Sequence, residues 1–270
     1  MMPTTTTTRI GTAVRSARAS RPDAFPRLLA MEWTKLSGLR STTWTLLLGA
    51  LCMVGITSAF ATVARFSAEL RTLTTVQMAA IGIETGQLFV ILLGALIITR
   101  EYGSGSIRTS LAAVASRGRL MAAKAVLLTG TTWGFGALVG VVSWTVAAVL
   151  LPRGPDAGPA EVARTVTAGA TYLALIALAT FGIGVTVRNA AATITLMVGL
   201  CIALPGVLTA LPPEMATRTL PYLPVSAGET LITGPAPGVP CGPWAALAIL
   251  GGWAATMLAV GYAMLRRRDA

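Results

Sequence analysis

Arg100-Glu-Tyr-Gly-Ser-Gly-Ser-Ile-Arg-Thr-Ser-Leu-Ala-Ala-Val-Ala-Ser-Arg-Gly-Arg-Leu-Met-Ala-Ala-Lys124 stands between two apolar segments, each long enough to cross a bilayer. The stretch is polar and basic, so it belongs in water on one side of the membrane. Within it, Ile107, Leu111 and Val114 recur at i, i+4 and i+7, which places them on one face of a helix. A plain connector has no need of such a face. A surface helix fastened at both ends to spanning helices is a place where another protein can push.

The rest of the chain agrees with a membrane reading. It is 54% hydrophobic and 11% charged, with a mean hydropathy of +0.72, whereas soluble domains carry about a quarter charged residues. Six apolar segments are long enough to cross roughly 30 Å of hydrocarbon. They lie near Trp44–Ala64, Met78–Thr99, Ala125–Leu151, Thr165–Val187, Ala190–Leu211 and Trp244–Leu265. Only Val187-Arg-Asn-Ala190 separates the fourth from the fifth, which predicts a tight helical hairpin. The expected fold class is an all-α integral membrane protein of six transmembrane helices, with an N-terminal interfacial helix and a cytoplasmic coupling helix.

The basic residues set an orientation. With the N-terminus inside, Lys and Arg number seven before the first span, five in residues 100–124, one at Arg188 and three at Arg266–Arg268. Five fall on the other side, at Arg65, Arg71, Arg153, Arg164 and Arg218. The excess of cations places both termini in the cytoplasm. The net charge of +11 follows the spans rather than a soluble face, so it does not point to nucleic acid.

Several chemistries are excluded by what is missing. The chain has no histidine, so His-based triads, HExxH zinc sites and His-ligated haem are out of reach. Its two lysines, Lys35 and Lys124, follow no Gly-rich turn, so it has no Walker A loop. Ser104 lacks the G-x-S-x-G frame and a histidine base. Cys52, Cys201 and Cys241 are too scattered for a metal site. No catalytic residue and no metal ligand is assigned.

Residues 1–24, rich in Thr, Ser and Arg, read as a disordered basic cytoplasmic tail. Residues 25–270 form the transmembrane domain. Phe25, Leu29, Trp33 and Leu36 are spaced four, four and three apart, which suits a helix over 25–41 in the headgroup plane, against membrane lipid. Residues 212–243 hold eight of the fifteen prolines yet stay fairly apolar, which reads as an extracellular short helix or re-entrant turn. Glu84 is the sole acid inside a span, a candidate for a polar path or a residue near the outer interface. Glycines four apart, Gly82/Gly86, Gly130/Gly134 and Gly136/Gly140, allow close helix approach within the bundle.

The order of local motifs adds a family likeness. Glu32-Trp-Thr-Lys35 and Arg40 precede the first span, Arg100-Glu-Tyr-Gly-Ser-Gly-Ser-Ile-Arg-Thr follows the second, Arg117-Gly-Arg-Leu through Lys124 opens the third, and Pro221-Tyr-Leu-Pro-Val-Ser-Ala-Gly228 precedes the sixth. From about Arg27 to Arg268 the chain resembles the permease subunits of bacterial ABC-2 type transporters, especially those of actinobacteria. The resemblance implies a bacterial cell-membrane protein, working as an exporter, that pairs with a second permease copy or paralogue and with separate ABC ATP-binding subunits. Those partners, not this chain, would bind ATP and Mg. By the same likeness Glu101, Tyr102, Ser106, Ile107 and Arg108 start a coupling helix, and Arg117 and Arg119 close it; because glycine at Gly103-Ser-Gly105 weakens a helix start, the Ser106 hydroxyl is the cap candidate. Glu32, Trp33, Lys35 and Arg40 fall on a connecting helix. Pro221, Tyr222, Leu223, Pro224 and Gly228 fall on an extracellular gate. Two other classes stay open: a membrane-embedded lipid-modifying enzyme and a non-transporting scaffold or sensor.

Overall fold

Long apolar runs, broken by glycine and proline at their ends, fold as helices throughout the described residues. These are 24–67, 69–103, 117–151, 156–235 and 242–267 of the computed structural model. We number the helices α1 (Ala24–Gly38), α2 (Arg40–Val63), α3 (Thr75–Gly103), α4 (Arg117–Leu150), α5 (Pro159–Val187), α6 (Ala190–Thr209), α7 (Pro213–Thr219), α8 (Pro224–Thr233) and α9 (Pro243–Arg267). Six of them, α2 to α6 and α9, are long and apolar enough to cross a membrane. The chain is a multi-pass membrane protein, helical without strands among the described residues.

Local chemistry sets the boundaries. Prolines 159, 213 and 224 occupy the first turns of α5, α7 and α8, where their missing N–H is no loss. Leu39 takes an extended conformation after Gly38 and separates α1 from α2. The α5–α6 hairpin is as tight as its sequence predicts. Arg188 caps α5 in the left-handed region (φ 58°), and Asn189 caps α6 by accepting a hydrogen bond from Ala192 N at 3.0 Å. Midway along α6, residues Gly199–Ala203 widen into a π-helical turn. Pro205 follows, with no N–H to donate and a ring that crowds the carbonyl of Cys201, so the ladder widens there.

The bundle is organised around α5. Of its apolar stretch 67% is buried, and of that of α3 56%, against 17–28% for the other four spans. α5 packs chiefly on α3, α9 and α4. It meets α9 where Gly182 faces Gly261: a Cβ on Gly182 would stand 2.5 Å from the Met257 backbone, and one on Gly261 2.7 Å from the Gly182 carbonyl. Only hydrogen atoms fit at that crossing. The paired glycines of the sequence divide. Gly82 and Gly86 meet Met53 of α2, and Gly136 and Gly140 meet α5, but Gly130 and Gly134 face nothing within 4 Å.

Hydrogen bonds tie the helix ends. The Arg65 guanidinium donates twice to the Leu150 carbonyl, at 3.0 and 2.8 Å, joining the ends of α2 and α4. Asp156, just before α5, accepts from Thr75 N at 3.0 Å and from its hydroxyl at 2.5 Å, and so caps α3 from a distant loop. These contacts mark one end of the bundle. At the other end, Arg117 at the start of α4 donates to the Leu265 carbonyl of α9 at 3.0 Å.

Candidate functional site

The helices α1, α3 and α4 meet around a buried cation. Lys124 lies two turns into α4 and is 2% exposed. Its ammonium donates to Glu32 Oε2 of α1 at 2.5 Å and to Glu101 Oε1 of α3 at 2.7 Å. Glu32 is 4% and Glu101 12% exposed. Lys35 closes the cluster from the rim, 2.9 Å from Glu32 and 3.4 Å from Glu101. Two carboxylates and two ammonium groups thus cancel within one junction, and both lysines of the chain are used in it.

The sequence around each residue explains its place. Leu28, Glu32 and Leu36 recur at i, i+4 and i+8, and all three are buried. This stripe meets α4, where Leu28 packs on Leu120 and Ala123, with Phe25 and Leu29 beside them. The amphipathic face read from the sequence is therefore turned: Phe25, Leu29 and Leu36 pack inward, whereas Trp33 is 51% exposed. In the sequence Lys124 ends a polar stretch, but α4 starts seven residues earlier and carries it inside.

Electrostatics at α1 follow from the contacts. Burial pushes the Glu32 carboxyl up, but hydrogen bonds and positive charge from Lys124 and Lys35 outweigh it and hold Glu32 below its ordinary value. Burial pushes Lys35 down, and Glu32 and Glu101 outweigh it, so Lys35 sits above its ordinary value. The second oxygen of Glu101, Oε2, is buried without a hydrogen-bond partner.

Beside Glu101, the Tyr102 ring lies under the Arg188 guanidinium, whose central carbon is 4.8 Å from the ring centroid. The α5–α6 hairpin thus touches the same end of α3 as α1 and α4 do. Arg100 donates to the Ser41 hydroxyl at the start of α2. Arg117 is engaged with α9, Arg119 is exposed, and Arg40 is exposed at the start of α2. Ser106, Ile107 and Arg108, with the expected surface helix, lie outside the described residues.

The opposite end carries a different set. Pro221, Leu223, Pro224 and Gly228 are buried, and Tyr222 is 56% exposed. The Tyr222 carbonyl accepts from Trp253 Nε1 of α9 at 3.0 Å. α8 packs on α5 and α9, and Gly228 lies against Tyr172 of α5: a Cβ there would stand 2.3 Å from the ring. The Tyr172 hydroxyl, fully buried, donates to Gln87 Oε1 of α3 at 2.6 Å. One turn from Gln87, Glu84 is half-buried and feels the charge of Glu229 on α8. Among the described residues neither carboxylate has an ion-pair partner.

The sequence reading missed the ion cluster and the Tyr172–Gln87 bond. The signal for the first was present: Glu32 shares a helical stripe with Leu28 and Leu36, so a carboxylate stands on an apolar face and calls for a buried cation. Compared with known family models and with curated proteins, the chain matches none.

Proposed function

We propose that this chain is the membrane-spanning permease subunit of an ATP-driven ABC-2 type transporter in a bacterial cell membrane, an exporter that works as a dimer with separate ATP-binding subunits. In this reading the Lys124 end of the bundle and both termini face the cytoplasm, as the excess of basic residues there favours. The single observation that carries the proposal is the ion cluster. Glu101 lies just before residues 104–116 and Lys124 just after them, and both are bonded to Glu32 of α1 or to each other. A push on the 104–116 segment would therefore move α1, α3 and α4 together rather than bend a loop.

ATP and Mg would be held by the partner subunits and supply the energy. On this chain, α1 serves as the connecting helix in the interface, and the 100–124 stretch as the coupling element. The cluster converts a displacement at the surface into a shift of packed helices, and α5, central in the bundle, passes it to α8 through Gly228 and Tyr172. Binding of the partner in one nucleotide state biases one arrangement of the bundle over the other. α8 with Pro221–Pro224 acts as the outer gate, and Glu84 lies on the polar side of the path. The open glycine stripe Gly130/Gly134 and the exposed apolar face of α4 offer room for a second permease.

The test is co-expression with a soluble ATPase encoded beside this chain, followed by a pull-down and ATP-driven uptake into inverted vesicles. We expect a stable complex. Glu101→Gln should keep the complex and its ATP hydrolysis but lose most of the transport. A chain that turns over substrate with no nucleotide-hydrolysing partner would overturn the proposal.

A further inference from the structure

A cleft of about 450 Å³ opens between α5, α8 and α9, on the end of the bundle away from Lys124. Its volume lies within the roughly 300–1,000 Å³ of sites that hold small organic molecules. Arg164, Thr167, Ala168 and Thr171 form one wall, recurring at i, i+3, i+4 and i+7 along α5. Leu231 of α8 and Trp244 and Leu247 of α9 form the others. From Arg164 to Thr171 the wall runs about 10 Å down the helix axis.

The chemistry of this lining is graded. The threonine hydroxyls are already satisfied: Thr167 donates to the Ala163 carbonyl and Thr171 to the Thr167 carbonyl, each at 2.7 Å. Thr171 also accepts from Trp133 Nε1 at 3.3 Å. Both therefore turn mainly carbon toward the cleft. Arg164 is the one charged group among the described lining residues; it is exposed, in the first two turns of its helix. Trp244 is 84% exposed in the first turn of α9, the position where tryptophans anchor spans at headgroup level. A cation, an interfacial indole and an apolar lining in one cleft match the groups of a lipid.

We propose that this cleft binds an anionic phospholipid of the surrounding bilayer, with its phosphate on Arg164 and one acyl chain along Leu231, Ala168 and Leu247. A guanidinium pairs with phosphate through two parallel hydrogen bonds, and at a partly dehydrated interface that contact is stronger than in water. The chain buries its methylenes in the cleft, against the half-buried Leu247 and the small faces that Ala168 and Leu231, 8% and 9% exposed, turn to it. This site does not depend on the transport proposal, and it holds for an enzyme or a scaffold equally.

The experiment places the full chain in phosphatidylcholine vesicles containing a small fraction of lipid brominated on its acyl chains. The brominated lipid is either phosphatidylglycerol or phosphatidylcholine. Bromine quenches indole fluorescence on contact, and the Trp244 signal is the difference between wild type and Trp244→Phe. We expect about a five-fold preference for the anionic lipid, the size of effect one arginine exerts near a charged headgroup. Arg164→Gln should abolish that preference, and added salt should weaken it. Because Arg164 and Trp244 are both exposed, neither variant should disturb the fold, which thermal unfolding checks. Equal quenching by the two lipids would overturn the proposal, as would a preference that survives Arg164→Gln. A photo-crosslinking residue in place of Trp244 supplies the second arm: capture of lipid supports the site, and capture of another copy of this chain overturns it.

Discussion

Lys124 and Glu84 sit toward opposite ends of one bundle, and their surroundings differ in kind. Around Lys124, two carboxylates and two ammonium groups close into a neutral cluster shared by three helices. Around Glu84, a second carboxylate, Glu229, bears on the first, and among the described residues neither has an ionic partner. One turn along α3 from Glu84 stands the uncharged bond from Tyr172 to Gln87. A buried neutral cluster resists separation, because each charge that leaves exposes another without compensation. The other two carboxylates are not locked in this way: Glu84 is half-buried and Glu229 is exposed. One end closes on its own charges, and the other leaves its carboxylates without a counter-ion among the described residues.

The contrast can be broken most sharply at Lys124. Lys124→Met leaves Glu32 and Glu101 buried with Lys35 at the rim as their one remaining cation in the cluster, and should lower stability by about 3–5 kcal/mol. Thermal unfolding of the purified protein in detergent reads this as a large fall in Tm. At the other end the packing, not charge, is the vulnerable feature. Gly228→Ala drives a methyl group into the Tyr172 ring, at an expected penalty of about 1–3 kcal/mol in the same assay.

A smaller effect sharpens the comparison through pH. The Glu32 carboxyl is held below its ordinary value of 4.5, so its stabilisation is complete above that value and is lost as pH falls through the lower, folded-state value. The gap in Tm between wild type and Glu32→Gln should therefore be constant above about pH 5 and close on further acidification. A gap that widened in acid would mean that Glu32 is not ionised in the folded protein. The smallest change is expected at Glu84. Glu84→Gln removes one of two unpaired acids and should leave stability within about 0.5 kcal/mol or raise it. A loss as large as that of Lys124→Met would show that Glu84 also has a cation, and the distinction between the two ends would fall.

The spans were legible in the sequence because hydrocarbon thickness imposes a length that composition alone reveals. The α5–α6 hairpin was legible because four residues leave no other option. The ion cluster was not. Lys124 adjoins an apolar run and looks like any basic residue at a membrane edge, and its partners lie 92 and 23 positions away. Hydropathy places the third span from Ala125, whereas the helix starts at Arg117, because the one glycine of Arg117–Lys124 sits in the first turn and the other residues are strong helix formers. Gly130 and Gly134 have the spacing of a packing motif, yet no neighbour in this chain uses them. Spacing states what a surface permits and not what covers it.

The distance of 92 residues between Glu32 and Lys124 also has a consequence for biogenesis. At about 5–20 residues per second, α1 leaves the ribosome roughly 5–20 s before its buried counter-ion exists. Until then Glu32 has a cation only three positions away, in Lys35. That local pair lets the nascent helix wait at the water surface, and its docking is deferred until the third span has been threaded.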